Sequence, residues 1–169
     1  MHDSLTVRCA AVDELDIVLE LLHQRITWLR NRGSDQWSTW QAWPEKLAVA
    51  LACGQVWLLT ENDVPVGTVT LNEHADADFW TPIERAERAL YLAKLAVRPD
   101  RAGRGYGLRL LRAAGDIADR RGRHLLRLDA WKNNHGLHAY YTRHGWQHLR
   151  TVDLPHRRSG ALFEISSHP

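Results

Sequence analysis

Several features that define other classes of protein are scarce or missing in this chain. It has two cysteines, Cys9 and Cys53, in 169 residues, so a disulfide framework is excluded. No apolar run approaches the roughly 18 residues that a membrane-spanning helix needs, and the first residues show no pattern of a secretion signal. We therefore expect a cytoplasmic protein without a membrane partner. The net charge of +2 is too small to predict nucleic-acid binding.

The composition is that of an ordinary globular protein. Apolar residues make up 44% of the chain and charged residues 25%. No internal repeat, linker or low-complexity stretch interrupts it, and its length suits one core. We expect a single domain over residues 1–169.

The order of apolar patterns predicts an α/β fold. Strands are expected at residues 5–10, 56–61, 65–71, 90–97, 124–131, 146–154 and 161–165. The main helices are expected after Asp13 as N-cap and up to Gly33, from Pro44 to Gly54, along the segment that ends at Gly122, and over residues 137–144. Residues 74–89 read as a loop with one helical turn. About four helices flanking a mixed, mostly antiparallel sheet is the expected architecture.

A glycine-rich turn follows the expected strand at residues 90–97. It contains Gly103, Gly105 and Gly107, and the apolar positions after it have helical spacing. Glycines let the backbone turn sharply and leave no side chain between its N–H groups and a ligand. The N–H groups at the start of the next helix suit a phosphate or pyrophosphate, and Arg101 and Arg104 add positive charge.

Two common phosphate motifs do not describe this turn. A Walker loop is excluded because no Gly-Lys-Ser/Thr follows the glycines. The spacing is also wrong for a dinucleotide fingerprint, because the three glycines alternate with other residues and Leu108 is not glycine. Nine arginines crowd this region, either as a solvated surface or as a rim that attracts an anion; they are Arg98, Arg101, Arg104, Arg109, Arg112, Arg120, Arg121, Arg123 and Arg127.

Two segments together resemble the signatures of the GNAT N-acetyltransferases. The first is Val97-Arg98-Pro99 followed by Arg104-Gly105-Tyr106-Gly107 and an apolar helix. The second is Asn134-His135-Gly136-Leu137, followed by Tyr141 and then by Gly145-Trp146. Ala102, where the family often has Gln or Arg, and Trp146, where it usually has Phe, depart from the pattern. The resemblance covers residues 55–150 best.

This resemblance implies a binding site for acetyl-coenzyme A as acyl donor. It implies a sheet that splays beside the strand before the glycine turn, where Leu95, Ala96 and Val97 would pair with the pantetheine arm. The pyrophosphate would be held by Arg101, Gly103, Arg104, Gly105, Tyr106, Gly107 and Leu108, with a further contact from Asn134. Tyr141 matches the tyrosine that often protonates the departing thiolate.

The general base stays open at this point. The glutamate that serves some relatives would fall near Tyr91, which does not suit that role. Asp129 is the first choice, because it ends an expected strand close in sequence to the Asn134 motif. Glu73 and His74 are further candidates, and deprotonation through solvent with no dedicated base is another alternative.

The acceptor is expected to be a primary amine of a small molecule. Trp37 and Trp40, with Asp35 beside them, suit a cationic amine through cation–π contact and charge pairing, and Glu73 is a further candidate. No metal is expected, because His135 and His138 lack partners that would complete a site. Alternatives are a protein or peptide acceptor, a longer acyl donor, or a sensor that binds acyl-coenzyme A without turnover. A homodimer is compatible with the sequence.

Overall fold

The computed structural model describes residues 4–167. Its strands are β1 (Leu5–Cys9), β2 (Val56–Glu61), β3 (Val64–Asn72), β4 (Ala89–Val97), β5 (Leu125–Trp131), β6 (Gln147–Thr151) and β7 (Ser159–Ser166). The helices are α1 (Leu15–Asn31), α2 (Trp43–Ala52), α3 (Pro82–Ala86), α4 (Tyr106–Arg120) and α5 (His135–Arg143). Short 3-10 turns occupy Val12–Glu14, Trp40–Ala42 and Pro99–Arg101.

The strands form one mixed sheet in the order β1-β2-β3-β4-β5-β7-β6. The ladders β1–β2, β2–β3, β5–β7 and β6–β7 are antiparallel. The ladder between β4 and β5 is parallel and joins Ala89–Tyr91 to Leu125–Arg127. The predicted α/β fold with a mixed, mostly antiparallel sheet is therefore confirmed.

The chain divides into two compact units. Within the described residues, one unit contains residues 4–71 together with Lys94–Ala113, and the other contains Asn72–Ala93 together with residues 114–167. In the first unit, apolar residues of α1, α2 and β2 form a buried cluster that includes Val18, Leu22, Leu47 and Leu58. The apolar face of each amphipathic helix, read from its periodicity, supplies this core.

The start of α1 differs from the prediction. Asp13 was expected to be the N-cap, but it lies inside the preceding 3-10 turn, and α1 begins at Leu15. The side chain of Glu14 accepts a hydrogen bond from the Ala11 N–H at 2.9 Å and pairs with Arg8 at 2.7 Å. Glu14 thus reaches back to the N–H of Ala11, the residue that precedes the 3-10 turn, as the third residue of a capping box does.

The β2–β3 connection is tighter than expected. Only Asn62 and Asp63 link the strands, with φ values of +50° and +66°. Asn and Asp tolerate this left-handed conformation better than most residues, and a two-residue turn of this kind matches the twist of a hairpin.

The segment expected to be a polar loop carries part of the second unit's core. Its helical turn is α3, as predicted, and the hydroxyl of Thr81 caps it by accepting from the Glu84 N–H at 3.3 Å. However, Phe79 and Trp80 are almost fully buried and pack with Tyr91 and Leu162. Acidic residues on both sides of Phe79 and Trp80 interrupt the apolar pattern, so the sequence does not predict that these two residues are buried.

Candidate active site

The glycine turn is built from two left-handed residues. Gly103 and Gly105 have φ values of +77° and +76°, and a Cβ added at either would meet no atom within 4 Å. The glycines are therefore required by backbone conformation, and the space above them is open. The first i→i−4 bond of α4 runs from the Arg109 N–H to the Gly105 carbonyl at 3.0 Å.

The N-terminus of α4 faces the same turn. The N–H groups of Tyr106, Gly107 and Leu108 come before the first hydrogen bond within the helix, so no helical carbonyl is available to them. Together with the helix dipole, such N–H groups attract an anion. This geometry fits the expected pyrophosphate site, although the ligand contacts themselves stay a prediction.

A buried carboxylate, Glu61 at the end of β2, holds the residues on both sides of this turn. Arg101 donates from Nε to Oε2 of Glu61 at 2.7 Å, and the phenol of Tyr106 donates to Oε1. Nη1 of Arg104 lies 3.5 Å from the same Oε1. The hydrogen bonds from Tyr106 and Arg101 lower the pKa of Glu61, so this side chain stays ionised.

The end of β4 is tied to α1. Arg25 donates to the carbonyl of Val97 from Nη2 at 2.6 Å and from Nε at 3.2 Å. The Arg98 N–H donates to the carbonyl of Val66 in β3 at 2.8 Å. Ala96 is buried, whereas Leu95 and Val97 are half-buried. The pairing of Leu95, Ala96 and Val97 with a pantetheine arm stays a prediction. A pantetheine amide that bonds to the Val97 carbonyl would share this acceptor with Arg25.

Lys94 interrupts β4 with a left-handed backbone. Its φ is +52°, which is unusual for a residue with a Cβ inside a strand. Its ammonium lies 5.1 Å from the ring centre of Trp43, within the range of a cation–π contact. The irregularity directly precedes Leu95, the first of the three residues expected to contact the donor.

Asp129 lies on β5 of the second unit, opposite Leu162 of β7. Loss of hydration on burial raises its pKa, while the Ser159 hydrogen bond and the positive charge of Arg157 act in the opposite direction. Arg157 is in turn paired with Asp76 at 2.7 Å and with Asp78 at 3.0 Å. A carboxylate with a raised pKa is suited to accepting a proton.

Tyr141 is buried on α5 in the same unit, with 4% of its surface exposed. Its ring packs against Trp146 and Phe163, each with a centroid distance of 5.5 Å. Burial, followed by the neighbouring Tyr140 and the charge of Asp129, raises the pKa of Tyr141. Because these causes all favour the neutral phenol, Tyr141 keeps its proton.

Asn134 has a structural role in addition to its predicted contact with coenzyme A. It is the N-cap of α5, and its Oδ1 accepts from the Leu137 N–H at 3.0 Å. Nε2 of His138 hydrogen-bonds to the carbonyl of Trp131 at 2.7 Å. Within residues 4–167, no three metal-binding side chains come together.

The expected acceptor residues divide between the two units. Trp37 and Trp40 are half-buried in the first unit, where Trp37 packs edge-on against Trp43 at 5.4 Å and Trp40 packs against His23 at 4.4 Å. Trp37 also contacts the core cluster of that unit, and Asp35, two residues earlier in the sequence, is half-buried. Glu73 belongs to the second unit and forms an ion pair with Arg123 at 2.7 Å.

Comparison with known proteins identifies the family. The model of the acetyltransferase (GNAT) family matches residues 20–146, which include the glycine turn, Asp129, Asn134 and Tyr141. This chain belongs to the GNAT acetyltransferase family. A GNAT relative, the uncharacterized N-acetyltransferase YesJ of Bacillus subtilis, is 28% identical over 147 residues, which cover 83% of this chain and 81% of YesJ.

Solved GNAT structures share the fold. An acetyltransferase from Listeria monocytogenes superposes with a TM-score of 0.79 at 20% identity, covering 96% of this chain and 94% of its own. The PaiA N-acetyltransferase of Thermoplasma acidophilum, solved in complex with coenzyme A, gives 0.73 at 17% identity and covers 96% of this chain and 99% of its own. At these identities the likeness establishes the GNAT fold.

Sequence reasoning missed Glu61 and Arg25 as site residues of this GNAT acetyltransferase. Both lie within apolar periodic segments, and their partners Tyr106, Arg101 and Val97 are at least 40 residues away. A charged residue on an otherwise buried strand is the one signal that could have singled out Glu61.

None of the helices in the described part of the chain is long and apolar enough to cross a membrane.

Proposed function

We propose that this protein transfers the acetyl group of acetyl-coenzyme A to the primary amine of a small molecule. The observation that carries the proposal is the turn formed by Gly103 and Gly105, left-handed and open above, directly before the N-terminus of α4. Backbone N–H groups at such a turn hold a diphosphate without needing a side chain. The family membership and the coenzyme A complex of a similar fold support the same donor.

Asp129 serves as the base in this proposal. A primary amine is mostly protonated at neutral pH and must lose a proton before it can attack the thioester carbonyl. Because burial raises the pKa of Asp129, its carboxylate is a better proton acceptor than an exposed aspartate. The free amine then forms a C–N bond with the carbonyl carbon and the C–S bond breaks. The nitrogen loses two protons in all: Asp129 accepts the first, before attack, and the second neutralises the thiolate, which leaves as the thiol of coenzyme A.

Tyr141 stabilises the departing sulfur. Its raised pKa keeps the phenol protonated. A simple thiol has a pKa of about 8.5, so a phenol with a pKa above about 10 shares its proton with the thiolate and does not surrender it. Tyr141 therefore lowers the barrier by donating a hydrogen bond to the charge that develops on sulfur.

The acceptor end of the site is assigned to Trp37, Trp40 and Asp35. Half-buried indole rings with a carboxylate nearby favour a cationic or heterocyclic amine. A protein acceptor is the main competing substrate.

Donor binding is tested by isothermal titration of the protein with coenzyme A. Wild type should bind, and Gly105→Glu should abolish binding, because a negative side chain would stand at the turn and a left-handed φ of +76° strains any residue with a Cβ. Gly122→Glu is the control, since Gly122 is also left-handed but follows α4. Absence of binding by wild type would refute the proposed function.

Acceptor class is tested by following thiol release with acetyl-coenzyme A and a panel of small amines, peptides and proteins. The proposal expects turnover with a small primary amine. Turnover only with peptides or proteins would replace that substrate class, and binding without turnover on any acceptor would indicate a sensor. Longer acyl donors in the same assay test the choice of acyl group.

A further inference from the structure

Glu61 is an unexpected residue to find beside an anion site. Its side chain is 8% exposed and lies at the last position of β2. A carboxylate close to a bound diphosphate opposes binding by charge repulsion. Its presence therefore calls for a function that outweighs this repulsion.

The hydrogen bonds of Glu61 reach both sides of the glycine turn. Oε2 accepts from Nε of Arg101, which precedes Gly103, and Oε1 accepts from the phenol of Tyr106, which follows Gly105. Arg104, between the two glycines, is the third donor at 3.5 Å. One buried carboxylate thus connects the two ends of a six-residue stretch, Arg101 to Tyr106, that holds two glycines.

This connection matters because glycine is the most flexible residue. A turn with two glycines loses much conformational entropy when a ligand orders it, and a turn already held in place loses less. Arg101 keeps donors for a ligand as well, because its guanidinium has five N–H groups and its contacts with Glu61 and Asp100 use only part of them.

We propose that Glu61 is a positioning residue that holds Arg101 and Tyr106, and with them the glycine turn, in the conformation that accepts the diphosphate of the acyl donor. The inference rests on the proposed function, since it names how that site is held. Glu61 acts through Arg101 and Tyr106 and takes no part in acetyl transfer.

The test compares coenzyme A, which has the diphosphate, with S-acetylpantetheine, an acyl donor that lacks it. In Glu61→Gln, titration should show a dissociation constant for coenzyme A at least 10-fold higher than in wild type. Turnover of S-acetylpantetheine, which has no diphosphate, should keep its kcat/KM within twofold. Tyr106→Phe removes one of the hydrogen bonds and should raise the dissociation constant about threefold. Glu84→Gln, at another ion-paired glutamate, is the matched control and should change neither value.

Three results would overturn the inference. They are an unchanged coenzyme A affinity in Glu61→Gln, a tighter affinity, or an equal loss with both donors, which would indicate general damage to the fold. If Glu61→Gln does not fold, Tyr106→Phe decides by the same comparison. A wild-type protein that binds no coenzyme A would instead refute the proposed function, so the two failures are distinguishable.

Discussion

Two carboxylates in this molecule have pKa values shifted in opposite directions. The pKa of Glu61 is lowered by hydrogen bonds from Tyr106 and Arg101, whereas burial raises the pKa of Asp129. A carboxylate whose hydrogen bonds outweigh its loss of hydration stays charged and can hold other residues. One whose loss of hydration outweighs its hydrogen bonds, as at Asp129, binds a proton more readily. The residue type alone does not separate the two roles; the neighbours do.

Asp129→Asn tests the base. The variant should lose about 100-fold or more in kcat, because a general base contributes roughly 10²–10⁴-fold. In wild type, the rate should fall as pH drops through the pKa of Asp129, which lies above the ordinary value, since only the deprotonated form accepts a proton. The pH profile of kcat measures both effects. A variant with the rate and acid limb of wild type would remove Asp129 from the mechanism and favour deprotonation through solvent.

Tyr141→Phe tests whether the phenol of Tyr141 donates a hydrogen bond to the departing sulfur. The change deletes one hydroxyl, so kcat should fall about 100-fold while the affinity for coenzyme A stays the same. Tyr140→Phe, at the half-buried neighbour, is the matched control and should keep wild-type turnover. Steady-state kinetics and titration separate the two quantities. Equal turnover in Tyr141→Phe would assign this tyrosine to packing alone.

At the scale of elements, the short helix α3 is held by more than its sequence suggests. Glu84 completes a capping box with Thr81 and forms an ion pair with Arg150 of β6, with N–O distances of 2.7 and 2.8 Å. Arg150 also donates to the carbonyl of Phe79 at 2.8 Å. A five-residue helix has little stability of its own, so these contacts with β6 stabilise it.

Glu84→Gln tests this ion pair through its pH dependence. The Arg150 hydrogen bonds lower the pKa of Glu84 from 4.5 to about 2. A lowered folded-state pKa contributes stability above pH 4.5 that is lost as pH falls toward 2. The free energy of unfolding of wild type should therefore exceed that of the variant by about 1 kcal/mol at pH 7, after allowance for the partial exposure of the pair. Near pH 2 the two free energies should be almost equal. Urea unfolding at both pH values measures the difference; a gap that persists at low pH would contradict the assignment.

At the scale of the whole molecule, Arg127 shows that the neighbours of a residue in sequence do not predict whether it is buried. It was grouped with arginines expected either at a solvated surface or at an anion rim, but its side chain is 1% exposed in the second unit. It pairs with Glu164 at 2.8 Å and with Glu87 at 2.7 Å, and it donates to the Tyr91 phenol at 3.0 Å. Burial alone would lower its pKa, and these hydrogen bonds raise it instead.

Arg127→Met should destabilise the protein by about 3 kcal/mol, because it removes the buried guanidinium that donates to Glu164, to the buried Tyr91 phenol and to the Glu84 carbonyl. Arg123→Met is the control. The ion pair of Arg123 with Glu73 is more exposed, so its loss should change the free energy of unfolding by about 1 kcal/mol or less. Urea denaturation of both variants at neutral pH measures the contrast. Similar losses would show that burial does not distinguish the two arginines.

The single-domain extent of residues 1–169, the cytoplasmic location and a homodimer stay predictions.

The bounds of the strands and helices were predictable to within a few residues, because each element depends on a local pattern. Strand alternation repeats every two residues and helical packing every three or four, and both are read from a short window. Phe79 and Trp80 escaped prediction because their neighbours in sequence are polar, and only contacts with Tyr91 and Leu162 make them core residues.

The amino-acid sequence by itself determined the order of strands and helices, the family, and the turn at Gly103 and Gly105, since all three depend on residues close together in the chain. Only the tertiary structure decided that Glu61 meets Arg101 and Tyr106, that Arg127 is buried beside Glu164, and that Tyr141 packs against Trp146 and Phe163. These pairings join residues on different elements. Their charges acquire a role only when folding removes water and supplies a partner, and no local pattern specifies that partner.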